Sequence, residues 1–122
     1  MDANNRVIQL CIAGTQAEFQ HNIEEAAALY EQAWKIQTCD YEACIAAHYM
    51  ARHQKDPKVE FDWNQRALEH AFACEDDSVN PFLPSLYLNM GKSYERLGDQ
   101  DSAQKYYAKA SQLGLSHQIE LE

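Results

Sequence analysis

The sequence predicts an all-α fold on three observations. Seventeen of its 122 residues are alanine, against eleven valines, isoleucines and threonines together. Alanine is the strongest helix former, whereas β-branched residues favour strands. Only four glycines and three prolines interrupt the chain, which suits long helices joined by short turns. Finally, an apolar pattern at helical spacing recurs along the chain, as it does in proteins built from stacked hairpins. A length of 122 residues suits one compact domain.

The repeat appears when Gly14 is placed over Gly91. Leu10, Ala13, Gly14 and Ala17 then match Tyr87, Met90, Gly91 and Tyr94, and Ala26, Tyr30 and Ala33 match Ala103, Tyr107 and Ala110, always at the same interval. A middle copy follows the first at a shorter interval, with Cys44, Ala47, His48 and Ala51, then Ala67 in the place of Ala33. Spacings of three, one and three put the first set on one helix face, and spacings of four and three form a stripe on a second helix. Each copy therefore reads as a helical hairpin, at about 7–40, 41–80 and 81–115.

The turns have their own chemistry. His21-Asn22, Lys55-Asp56 and Gly98-Asp99 fall at matched places, so an Asn or Asp caps every second helix. Glu25 follows Asn22 at capping-box spacing, and Pro57 follows Asp56 at the first helical position. Close packing of two helices needs small residues at the crossing, so Gly14 and Gly91 are expected there, faced by Ala26 and Ala103. In the middle copy Glu60 and Asn64 replace the small residue and the aromatic. Its second helix is expected to be longer or rotated, with Trp63, Leu68, Ala71 and Phe72 in its core.

Two irregularities remain. The middle and last copies stand further apart than the first and middle ones, so a short stretch is inserted near 74–82. Asn80-Pro81 reads as a cap and start, placing the next helix near Pro81. The acidic stretch before it is either a tolerated surface loop or a gate at one end of a groove. Gly114 reads as a helix stop, and the tail 116–122 is too short for a capping helix. The open end it leaves invites self-association, with a homodimer as one outcome.

Taken together, these residues resemble the tetratricopeptide repeat, a helix-turn-helix unit of about 34 residues. The step from the first copy to the middle one matches that length. The last copy resembles the repeat at Tyr87, Met90, Gly91, Tyr94, Gly98-Asp99, Ala103, Tyr107 and Ala110. The first agrees nearly as well, with Ala17 where tyrosine is usual. The resemblance implies a right-handed α-α superhelix of three hairpins whose first helices line a concave groove. It further implies a non-catalytic interaction module that binds a peptide or protein segment there. Groove positions would then be Cys11, Thr15, Glu18 and Phe19, next Glu42, Ile45, Tyr49, Arg52 and His53, and last Ser85, Leu88, Asn89, Lys92, Glu95 and Arg96. Thr15, Glu18, Phe19, Tyr49, Arg52, His53, Asn89, Lys92 and Arg96 are the candidate binding residues. One subclass of the family grips acidic chaperone tails through groove cations. The matching positions here, Cys11, Thr15, Ala46, Ser85 and Asn89, supply none, which disfavours that mode.

Charge and motifs narrow the function further. Ten Lys and Arg stand against 19 Asp and Glu, a net charge of −9. That is the wrong sign for nucleic acid or anionic lipid. Apolar runs such as Ala26 to Tyr30 are far below the roughly 20 residues of a membrane span. The start of the chain does not read as a secretory signal. Cys11, Cys39, Cys44 and Cys74 form no CxxC pair and read as reduced thiols of a cytoplasmic protein. Cys44 and His48 have the spacing of a helical metal pair but occupy packing positions. With no phosphate-loop, HExxH or nucleophile-elbow pattern, neither an enzyme nor a cofactor or metal site is expected.

Overall fold

The computed structural model describes residues 4–113, and their regular structure is entirely helical. α1 (Arg6–Phe19) and α2 (Ile23–Ile36) form the first hairpin, α3 (Asp40–Met50) and α4 (Pro57–Ala73) the second, and α5 (Leu83–Arg96) and α6 (Gln100–Gln112) the third. A 3-10 turn, Asn80–Phe82, runs directly into α5. None of these helices is long and apolar enough to cross a membrane. Gly114, the tail 116–122 and the open C-terminal end lie outside the described residues.

The expected caps are in place. Asn22 Oδ1 accepts from the Glu25 amide (3.4 Å), Asp56 Oδ1 from Lys58 (2.9 Å) and Asp99 Oδ1 from Ser102 (3.0 Å), each satisfying an otherwise orphan N–H. Glu25 turns back on Asn22 as well, accepting from its side-chain amide at 2.9 Å. Cys39 caps α3 with no side-chain bond, and Glu42 does this work instead. Its carboxylate accepts from the Thr38 amide and from Asn5 Nδ2, both at 2.9 Å, fixing the start of α3 to the start of α1. Glu42 is thus a brace rather than a groove residue.

Each second helix packs on its own first helix, and successive hairpins stack through α2 on α3 and α4 on α5. Val7, Ile8, Leu10, Cys11, Ala26, Tyr30, Ala33, Ile45 and Ala46 form one core between the first hairpin and α3. Cys44, Ala47, Ala67, Leu68, Ala71, Val79, Leu86 and Met90 form the next. Cys11 and Ile45 are therefore buried, at 1% and 4% exposure, where the groove assignment wanted them open. The register of the stack turns them inward.

Several local expectations change. The glycines are faced by rings, not by alanines. A Cβ on Gly14 would stand 2.8 Å from Tyr30 Cδ1 and closer still to Cε1, and one on Gly91 would stand 2.5 Å from Tyr107 Cε1. The missing side chain makes room for the aromatic that follows on the second helix. α4 is indeed longer than α2 and α6, but Phe72 is 62% exposed, leaning toward Tyr87 rather than filling the core. α5 starts at Leu83, because Asn80 and Pro81 enter the 3-10 turn and Asn80 makes no side-chain cap. α3 ends early, at Met50, so the left-handed turn residue of the middle hairpin is His53 (φ 65°) where His21 (φ 62°) and Gly98 (φ 86°) serve the others. Lys55 does not take that role.

Candidate functional site

Glu18 organises the end of the stack where α1 and α3 finish. Its carboxylate accepts from Arg52 Nε (2.8 Å) and Nη2 (2.6 Å), and from the Tyr30 hydroxyl (2.5 Å). His53 Nε2 lies 2.9 Å from the same group. Arg52 and His53, expected on the first helix, sit in the turn beyond its early end. There they reach back to the end of α1 in the preceding hairpin. The Arg52 hydrogen bonds hold the Glu18 carboxyl down at about 2, against burial. Thr15 donates to the Cys11 carbonyl at 3.0 Å, and the Tyr30 and Tyr49 rings lie 5.2 Å apart. Phe19 stands apart, 81% exposed.

Because that carboxyl titrates below its ordinary value of 4.5, its stabilisation is fully present above pH 4.5 and is lost as pH falls toward 2. Glu18→Gln is expected to cost about 1 kcal/mol at pH 7, since water at the half-exposed Arg52 screens the pair. Urea melts should show the gap between wild type and variant narrowing below pH 4.5. A gap independent of pH would mean that the ion pair contributes nothing.

A second polar cluster joins the middle and last hairpins. Arg96 pairs with Glu60, and Glu60 Oε1 accepts from the Ser93 hydroxyl at 3.0 Å. That hydroxyl in turn accepts from Asn64 Nδ2 at 3.1 Å. Arg96 Nη2 also reaches the Lys55 carbonyl at 3.4 Å. Asn64 and Ser93 are buried at 6% and 0% exposure, yet neither leaves a buried side-chain polar atom without a partner. Glu60 and Asn64 occupy the positions held by alanine and tyrosine in the other hairpins, so the departure from the repeat is what builds this cluster.

Between α3 and α5 lies a crevice with two cavities. An apolar one of about 90 Å³ is lined by Cys44, Ile45, His48, Tyr49, Phe82, Ser85 and Leu86. A polar one of about 240 Å³ is lined by His48, Ala51, Arg52, Glu60, Asn64, Asn89, Lys92 and Arg96. His48 is the wall they share, and Asn89 Nδ2 lies 3.2 Å from its Nδ1. Burial, aided by the Arg52 charge, drops the His48 pKa to about 4, so the ring is neutral at physiological pH. Phe82, from the inserted stretch, lines the apolar cavity, and its ring centroid lies 6.4 Å from that of Tyr41.

The structure thus brings Arg52, Asn89, Lys92 and Arg96 to one cavity and Tyr49 to the adjoining one. It gathers Thr15, Glu18 and His53 around the neighbouring ion-pair cluster and leaves Phe19 outside both. Sequence reasoning missed His48, Glu60, Asn64, Ser93 and Phe82 as parts of the site. Burial pushes the Cys11 and Cys44 thiols up to about 12, which makes them unreactive packing groups. No cluster of three or more His, Cys, Asp or Glu suited to a metal occurs among the described residues.

Residues 84–113, which are α5, its turn and α6, match the family model for the tetratricopeptide repeat. No curated protein and no solved structure matches the chain. The match to the last hairpin and the two further hairpins stacked before it fit a tetratricopeptide-like helical repeat protein.

Proposed function

We propose that the protein is a non-catalytic adaptor that holds a peptide or protein segment in the crevice between α3 and α5. The observation that supports this reading is the pairing of an apolar cavity with a polar one along a single cleft. A peptide side chain can be buried in the first and fixed in register by the second. Repeats of this kind generally mediate protein–protein contacts and are generally non-catalytic. The four cysteines are free thiols, which suits a reducing compartment such as the cytoplasm.

Arg52 and Arg96 brace neighbouring hairpins, so reversing their charge would damage the fold along with any site. The informative variants are Ser85→Phe, which fills the apolar cavity from an exposed position, and Lys92→Glu, which reverses an exposed charge at the polar one. In affinity capture from the source lysate, a specific partner held by wild type should be lost at least tenfold by either variant while helical circular dichroism is kept. Equal capture by all three proteins would exclude the crevice as the binding surface.

A further inference from the structure

The polar cavity exists because the middle hairpin departs from the repeat at two coupled places. In the outer hairpins a tyrosine ring lies over a glycine, Tyr30 over Gly14 and Tyr107 over Gly91. At the same spacing the middle hairpin has His48 and Asn64, a large residue where the glycine stood and a small one where the ring stood. The space the ring would fill is left to donors from α5.

The charges there do not cancel. Arg52 is neutralised by Glu18 and Arg96 by Glu60. Lys92 is exposed and has no ion-pair partner among the described residues, which leaves one positive charge at the cavity. One surplus charge matches one carboxylate. A run of acidic residues, or a polyanion, would instead meet the field of a chain whose net charge is −9. Asn89, whose amide already faces the cavity, adds a neutral donor beside Lys92.

The neighbouring cavity selects by size. Its volume of about 90 Å³ is below the ~150 Å³ of a cavity that holds a benzene ring, which favours a branched aliphatic side chain over a larger aromatic one. Spacing follows from the helix. Leu86 lies in the apolar wall, and Asn89 and Lys92 follow three and six residues later, about 4.5 and 9 Å along α5 at ~1.5 Å per residue. In an extended peptide, residues two apart point to the same side and lie roughly 6.6–6.8 Å apart.

We propose that the α3–α5 crevice binds an extended peptide segment carrying one aliphatic and one acidic residue two positions apart. The aliphatic side chain enters between Ile45, Phe82 and Leu86, and the carboxylate meets Lys92 and Asn89. This specificity rests on the crevice being the binding surface.

The test is selection of random ten-residue displayed peptides on the full-length protein, followed by sequencing. Wild type should enrich aliphatic–x–acidic or acidic–x–aliphatic pairs at least tenfold over the same residues at other spacings. Lys92→Glu should lose the acidic preference and keep the aliphatic one. Ser85→Phe should lose the aliphatic preference, and Lys105→Glu, which makes the same change in net charge on α6, should select as wild type does. Enriched peptides without the paired acid, or an acidic preference that survives Lys92→Glu, would overturn the proposal. If Ser85→Phe still abolished binding of those peptides, the crevice itself would stand. Failure to enrich any peptide would overturn both.

Discussion

Gly14→Ala is expected to lower stability by about 2 kcal/mol, although alanine is ordinarily the better helix residue by ~1 kcal/mol. The added Cβ meets the Tyr30 ring inside any tolerable contact distance, so the ring must move. It has nowhere to go. Tyr30 is 1% exposed, its hydroxyl is bonded to Glu18, and its face lies against Tyr49. Displacing it strains the core of the first hairpin and the Glu18–Arg52 bridge together. Gly91→Ala makes the same clash with Tyr107, but that ring is only half-buried at the far side of the stack and can swing outward. Its cost should be smaller, about 1 kcal/mol. Thermal or urea unfolding of both variants checks the order, and a neutral Gly14→Ala would contradict the close approach.

Much of this architecture is legible in the sequence because the features concerned are local or repeat at a fixed interval. The caps at Asn22, Asp56 and Asp99 depend on residues two or three positions away, and matched places mark them. The buried stripe of Leu10, Ala17, Ala26, Tyr30 and Ala33 follows from helical spacing alone. What spacing does not reveal is which residue faces which across a helix pair. It pairs the glycines with alanines, whereas the tyrosines cover them. It also opens Cys11 to the groove, where it is core, and Ile45, which is buried at the wall of the apolar cavity, because a small change in helix rotation decides between groove and core.

The site is less legible for a related reason. Arg52 and Arg96 stand at groove positions by spacing, and only their partners show them to be braces. The Glu18–Arg52 pair does leave a trace, since the two lie one repeat length apart. The early end of α3 leaves none, because Ala51, Arg52 and His53 are compatible with a continuing helix. The strongest unused signal is the joint departure at His48 and Asn64, which share the spacing of Gly14 and Tyr30. Each substitution is visible alone, but their meaning lies in the pair.

That pair gives the second large effect. His48→Gly alone should cost about 3 kcal/mol, combining a lost packed ring with ~1 kcal/mol for glycine inside a helix. Asn64→Tyr alone should cost about 2 kcal/mol, because a ring placed as in Tyr30 and Tyr107 collides with the His48 side chain, and because the Asn64–Ser93 bond is lost. The double variant restores the glycine-under-tyrosine contact of the outer hairpins. It should be more stable than the sum of the single effects predicts, by about 2 kcal/mol in a double-mutant cycle measured by urea unfolding. Additive costs would mean that the two positions do not share one space. The same variant would fill the polar cavity beside Lys92, so a protein with a regular middle hairpin should lose its preference for an acidic peptide residue. In the proposed mode the irregular hairpin is the functional one, and its packing defect is the space offered to the ligand's carboxylate.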